Sequence, residues 1–326
     1  MRTTLGHIVA RGRRVIAGPP PTSGAGSTNQ IYPGYDGRHE ALLASMVVRP
    51  AELGADRIID GFGQTTLFRC VPFVSEFDLE RLSLPIPDDG YHAEASEYVA
   101  VADSVKRAGS RYCIAELGAG WAPWLGLGGV LARTKGIRLI ELIGVEALPA
   151  RFELMKAHLA INGLRNEAGD EPTLDGVSCR LFNGAVTPTR SEVWFPDVPI
   201  TDMGSAVSES EASRDYRGKR VKNLKVQGYP LSEILGDSPV DLLHIDVQGA
   251  ELGLIEANLD LLSRQVTAIM IGTHSRVIEG SLIDLLYRHG WHLELEKPCR
   301  VAWRTNPPSM EAMTVVDGCQ YWRRVS

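Results

Sequence analysis

From about residue 111 onward, short apolar runs alternate with stretches whose apolar residues recur every three or four positions. That alternation predicts parallel strands joined by crossover helices. Strands are expected at Tyr112 to Leu117, Arg138 to Val145, Val177 to Phe182, Asp241 to Asp246 and Val266 to Gly272. Helices are expected at Trp124 to Thr134, Leu148 to Asn162, Ala250 to Leu262 and Ser281 to His289. A further helix is predicted over Glu94 to Ala108, where Gly109 and Ser110 end it. Trp291 to Glu296 and Thr314 to Arg323 read as two closing strands around a proline-rich loop. The rhythm is that of a doubly wound α/β sheet.

The pattern before that region is different. Gly18 to Asn29 (GPPPTSGAGSTN) cannot bury a core, so residues 1–30 are expected to form a flexible arm or linker. Residues 31–90 read as an accessory or capping region, in which RIIDGFGQTTLF gives two strand-like pieces punctuated by Gly61 and Gly63. The sheet domain then covers residues 91–326, with a polar insertion at about 196–220 that is expected to be a lid or loop.

Composition narrows the function classes. A chain of 326 residues corresponds to roughly two domains at about 150 residues each. With 44% hydrophobic and 23% charged residues it is ordinary globular material. A net charge of -6 has the wrong sign for gathering nucleic acid or anionic lipid. No apolar run approaches the roughly 18 residues of a membrane span. After Arg13 and Arg14 only Val15, Ile16 and Ala17 precede Gly18 and Pro19, too short a run for a twin-arginine signal. The five cysteines are odd in number and never in a C-x-x-C pair, which suggests neither a disulfide framework nor a zinc knuckle. A cytoplasmic protein without a nucleic-acid or membrane partner is expected, and a homodimer is left open.

Three segments carry candidate chemistry. The first, Cys113-Ile114-Ala115-Glu116-Leu117-Gly118-Ala119-Gly120, is a strand running into a G-x-G turn that lets a ligand approach the backbone. A dinucleotide fingerprint would end in Gly or Ala where this chain has Pro123, and Trp121 and Trp124 crowd the turn, which disfavours a nicotinamide cofactor. A tight turn without a ligand is the alternative reading. The second segment places Glu146 at the end of a strand, where a carboxylate can accept hydrogen bonds from ribose hydroxyls or stabilise the following helix start. Glu141 lies mid-strand, and alternation turns it away from the cleft. The third, Val240 to Leu252 (VDLLHIDVQGAEL), is a buried strand with Asp246 at its carboxyl end.

Together with V-E-A-x-x-x-x-F-x-x-M-K-x-x-L-x-x-N-G-L from Val145 to Leu164 and the strand ending at His274, these segments resemble the FkbM-type methyltransferases. The resemblance spans roughly residues 111–295. It implies a Rossmann-like, mostly parallel seven-stranded sheet of the class I group and S-adenosylmethionine as cofactor. By position, Glu116, Gly118, Ala119 and Gly120 would line the methionine end, and Glu146 with Ala147 would hold the ribose. Asn183, Gly184 and Ala185 would lie beside the adenine, and Asp246 near the reactive methyl. Tyr91, His92, Glu94 and Glu97 would close over the cofactor, although a solvated helix start explains the two glutamates equally well. Two positions depart from the family pattern: His244 stands where Lys is usual, and Gln248 where Glu is usual. With one carboxylate lost, no metal ligand is assigned and a divalent metal is left open.

The implied reaction is methyl transfer to a hydroxyl of a small molecule such as a sugar or secondary-metabolite scaffold. It needs the hydroxyl held in line with the methyl and its proton removed. His274 and Asp246 are the expected catalytic residues, since imidazole titrates near pH 6.5. His274 could instead hydrogen-bond a loop. His244, two places before Asp246, could share its face but reads as a core histidine, and His158, His289 and His292 read as structural. Two other readings stay open: a non-catalytic cofactor-binding or assembly protein on the same fold, and a nicotinamide-dependent oxidoreductase.

Overall fold

A computed structural model describes residues 33–71, 95–166, 173, 176–202, 204–208, 210–215 and 218–324. The expected arm, and Tyr91, His92 and Glu94, lie outside the described residues.

The chain opens with α1 (Gly37–Met46) and three short strands, β1 (Glu52–Leu53), β2 (Arg57–Ile59) and β3 (Thr65–Leu67). Next come α2 (Ala95–Arg107), β4 (Arg111–Leu117), α3 (Pro123–Thr134), β5 (Leu139–Glu146), α4 (Pro149–Ile161) and β6 (Val177–Val186). Then follow β7 (Ser191–Pro196), β8 (Ala212–Arg214), β9 (Arg220–Tyr229) and α5 (Leu231–Leu235). The alternation resumes with β10 (Leu242–Ile245), α6 (Glu251–Gln265), β11 (Ala268–Thr273) and α7 (Arg276–Arg288). Four strands close the chain: β12 (Trp291–Lys297), β13 (Arg300–Val301), β14 (Thr314–Val316) and β15 (Gly318–Arg324).

The main sheet has ten strands in the order β12-β15-β11-β10-β4-β5-β6-β9-β7, with β8 paired to β9. The expected seven are its first seven. β4 pairs in parallel with β5 and β10, β5 with β6, and β10 with β11, whereas β15 runs antiparallel to both β11 and β12. Strand order therefore reverses between β4 and β10, and ligands of open α/β sheets bind at such a switch point. The buried strand β10 shows why the sheet needs cover on both sides. Leu242 joins the core cluster that contains α2 and α3 residues, and Leu243 and Ile245 join the one that contains α6 and α7 residues.

Several boundaries differ from the pattern-based expectation. The helix expected from Ser281 begins at Arg276, because the Ser275 side chain accepts a hydrogen bond from Ile278 N and Gly280 is tolerated inside the helix. The segment at 196–220 is not a free lid. Its flanks are β7 and β9, paired antiparallel from Ser191↔Gly228 to Pro196↔Asn223, and β8 folds back on β9. The tail strand expected over Thr314 to Arg323 is split, with β14 pairing to β13 and β15 entering the main sheet. Among the described residues no helix is long and apolar enough to cross a membrane.

The strands before the sheet domain do not stand apart from it. Ile58, Leu67, Cys70 and Val71 pack with Trp121 and, from α4, Leu154 and Ile161. Asn162, at the end of α4, ties β3 down from both sides. Its Oδ1 accepts from Thr65 N at 2.8 Å, and its Nδ2 donates to Thr65 O at 2.9 Å. Removing that amide leaves two partly buried backbone groups without this partner, so Asn162→Ala is expected to cost about 1–3 kcal/mol in urea denaturation. A variant as stable as the parent would show that this tie does not hold the segment in place.

Candidate active site

A cavity of about 350 Å³ opens at the carboxyl ends of the central strands. Ten of the eleven expected site residues line it: Glu116, Gly118, Ala119, Gly120, Glu146, Ala147, Gly184, Ala185, Asp246 and His274. Asn183 is not in the wall. Its side-chain amide donates to the carbonyls of Glu146 (2.9 Å) and Ala147 (3.3 Å), so it braces the end of β5.

The G-x-G turn is held by a close approach. Gly118 has φ +77, and a Cβ there would lie 1.9 Å from the carbonyl oxygen of Asp246, so only glycine lets the two turns meet. Asp246 N in turn donates to Leu117 O at 2.9 Å. Behind the turn, Glu116 is fully buried with Oε2 accepting from Leu125 N at the start of α3, and burial pushes its carboxyl well above the usual range. Glu146 performs one of the two roles the sequence suggested for its position, stabilising the start of α4. Oε1 accepts from Leu148 N at 2.7 Å at the entry to α4, and Oε2 accepts from Gly120 N at 2.8 Å, leaving lone pairs on both oxygens for a further donor. Glu141, mid-strand, is paired instead with Arg180.

The sequence reading missed Arg151. It is buried one turn into α4, donates to the carbonyls of Ile200 and Asp202, and places a cation in the cavity wall near Glu146. It also missed Ser205, Ala206 and Val207 of the segment at 196–220, which form wall on the Phe195 side. Cys70 and Val71 from the N-terminal region and Cys319 from β15 contribute at other parts of the cavity. None of these carried a motif. Arg151 and the 205–207 segment are brought in by pairings such as Arg151 to Ile200 and Trp194↔Ser208, which local pattern does not show.

At the other end, Asp246 has a side chain 41% exposed, in a turn where Gln248 adopts φ +49 and Gly249 φ +93. His274 stands behind it. Its Nδ1 lies 2.8 Å from Oε1 of the fully buried Glu251, its Nε2 3.3 Å from Asp246 Oδ1, and the Gln248 amide also reaches Nε2 at 2.7 Å. Burial opposes a charge on this ring, yet the Glu251 hydrogen bond and the negative charges of Asp246, Glu251 and Asp317 outweigh it, and the pKa is pushed up to about 10. Glu251 occupies Nδ1, and Asp246 and the Gln248 amide occupy Nε2, so both nitrogens of the ring expected to accept the proton already have partners, a pairing the sequence did not show. The one available hint was the glutamate that follows Gly249 and Ala250 and accepts from Gly249 N at 2.9 Å.

Donor atoms of Asp246, Glu251 and His274 lie within 4.8 Å of one another, a spacing that can hold a cation. The other histidines divide as expected only in part. His158 is fully buried against Trp121, and burial pulls its pKa down to about 3. His244 lines the cavity.

Glu97, Glu116, Glu146, Asp246 and Asp317 give the cavity wall five carboxyl groups, faced by Arg151 and His274. The arrangement suits a ligand with positive charge and repels a diphosphate.

The chain matches a family model for the methyltransferase FkbM domain over residues 130–290. It is similar to a protein of Jannaschia sp. (strain CCS1) that carries a provisional methyltransferase name, with 35% identity over 222 residues, 67% of this chain and 76% of that one. Among solved structures it aligns with a methyltransferase FkbM from Methylobacillus flagellatus KT at 14% identity, covering 78% of this chain and 60% of that one, with a TM-score of 0.39. It also aligns with a precorrin-6y C5,15-methyltransferase from Geobacter metallireducens GS-15 at 12% identity, covering 73% and 91%, with a TM-score of 0.38.

The His274 cluster has a stability signature. A histidine whose folded pKa of about 10 exceeds an unfolded value near 6.5 stabilises the fold in full below about pH 6.5. That contribution declines above 6.5 and is gone beyond about 10. Chemical denaturation of the parent and of His274→Gln is expected to show a falling stability over this window that the variant lacks. Equal pH profiles would mean that His274 is not held charged.

Proposed function

The chain belongs to the FkbM methyltransferase family, and from that premise we propose that it transfers the methyl group of S-adenosylmethionine to a hydroxyl of a small molecule. The observation that carries the reading is the acidic cavity at the strand switch point, whose glycine turn leaves backbone open to a ligand. S-adenosylmethionine carries a sulfonium and an ammonium, both positive, and the carboxyl groups of Glu116 and Asp246 suit them. Glu146, already anchored by two backbone N–H groups, retains lone pairs for the ribose hydroxyls. Gly184, Ala185 and Phe195 offer the flatter, apolar wall that an adenine ring requires.

When bound, the sulfonium supplies an activated methyl with its leaving group built in. The protein's task is to position the acceptor and to take its proton. Asp246 accepts a hydrogen bond from the acceptor, and the charged His274, itself fixed by Glu251, holds that carboxylate in place. His274 is thus a positioning residue. A hydroxyl acceptor is favoured because it needs a proton acceptor close to the reacting atom, and this cavity is rich in such groups. The acidic wall and the absence of a third small residue at Pro123 disfavour a nicotinamide dinucleotide.

Calorimetry with S-adenosylhomocysteine is expected to show binding, and NAD none. Glu146→Ala should weaken S-adenosylhomocysteine by about 1–3 kcal/mol, the scale of charge-assisted hydrogen bonds. Asp246→Asn should slow methyl transfer about 10- to 100-fold while S-adenosylhomocysteine affinity holds. NAD binding with no affinity for S-adenosylhomocysteine would sink the proposal, and unchanged affinity in Glu146→Ala would remove the ribose assignment.

A further inference from the structure

His244 sits in the middle of β10, two residues before Asp246 and on the same face of the sheet. In register it lies between Glu116 of β4 and Met270 of β11, and Trp124 of α3 covers it with ring centroids 5.7 Å apart. Its side chain is 4% exposed, and its Nε2 is 3.3 Å from Oε1 of Glu97, the acidic residue in the first turn of α2. Both residues line the cavity.

The pairing fixes the tautomer. A carboxylate only accepts hydrogen bonds, so the neutral ring places its one proton on Nε2 and keeps the lone pair on Nδ1. Nδ1 is buried and has no hydrogen-bond partner among the described residues. Buried polar atoms in that condition call for a ligand or another explanation. His158 shows what the other explanation looks like, since both its nitrogens also lack partners but the ring is outside the cavity wall and packs on Trp121. His244 instead combines a lone pair, an orienting carboxylate and a place in the wall. His274 has partners on both ring nitrogens, Glu251 at Nδ1 and Asp246 with the Gln248 amide at Nε2.

We infer that His244, oriented by Glu97, is the residue that binds the reacting hydroxyl of the acceptor and takes its proton. The inference rests on the methyltransferase reading and deepens it. The hydroxyl donates its hydrogen to Nδ1. Its oxygen forms the new bond to the methyl carbon, and the sulfur–methyl bond breaks with the electron pair returning to sulfur. The products are the methyl ether, S-adenosylhomocysteine and an imidazolium whose Nε2–H still faces Glu97. The charge lost from the sulfonium thus reappears on His244, beside Glu97, Glu116 and Asp246. Asp246 remains free to hold another donor of the acceptor.

The test uses the full-length protein, with nitrogen-15 NMR of its histidines and radiolabelled methyl transfer to a panel of monosaccharides, glycosides and phenols. Expected are a neutral Nε2–H tautomer at His244, in the free and the S-adenosylhomocysteine-bound protein, and a switch to the Nδ1–H form in Glu97→Gln. His244→Gln, which keeps an amide near Glu97 but removes Nδ1, should lower transfer to the best acceptor of the panel about 100- to 10,000-fold, the scale of general-base catalysis. Glu97→Gln should lower it about 10- to 100-fold, and His244→Gln should bind S-adenosylhomocysteine within about twofold of the parent. An imidazolium or an Nδ1–H tautomer at His244 in the parent would overturn the inference. So would His244→Gln transferring within about threefold of it. A parent that fails to bind S-adenosylhomocysteine would instead refute the methyltransferase reading, and the tautomer of the free protein would still decide the assignment of His244.

Discussion

A side chain at position 118 would put its first carbon 1.9 Å from the carbonyl oxygen of Asp246, and the cavity depends on there being none. The glycine turn after β4 and the aspartate turn after β10 meet at that point. With Asp246 N bonded to Leu117 O, the two strand ends are locked at the place where strand order reverses. Both turns line the cavity. Their relative position is therefore set by backbone contact and does not rely on flexible side chains.

Around that contact the carboxyl groups are treated in different ways. Glu116 is buried with a helix start against it, Glu146 is anchored by two backbone N–H groups, and Asp246 is left partly exposed with a charged histidine behind it. Burial raises the first two carboxyls, as does any medium that disfavours charge. A cationic ligand reverses that tendency. Binding of positive charge and ionisation of the wall then support one another.

How far the sequence could reveal this follows from what each feature depends on. The central strands were legible because β4, β5, β10 and β11 are buried on both faces and read as near-continuous apolar runs. Gly118, Glu146 and Asp246 were legible because each sits at a strand end, where local pattern and position coincide. The pair β7 and β9 was not, since both strands mix charged and apolar residues and β7 lies at the sheet's border with β9 as its one neighbour in the strand order. Nor were the pairings of His274 with Glu251 and of His244 with Glu97, which are 23 and 147 residues apart. A titratable side chain shows its type in the sequence, but its protonation depends on neighbours that only the fold supplies. That is why neither histidine's surroundings could be read from its place in the pattern.

Cys70 and Cys319 stand in the wall of a cavity assigned to a methyl donor, and sulfur is a better methyl acceptor than oxygen once it is ionised. Burial pushes the Cys70 thiol up to about 11 and the Cys319 thiol up to about 12. Cys319 is also hydrogen-bonded to Ser96 at 2.9 Å. At neutral pH both are thiols, and only the thiolate attacks an electrophilic carbon. The packing that closes the cavity thus also protects the protein from alkylating itself, and an enzyme of this design keeps its cysteines by denying them water.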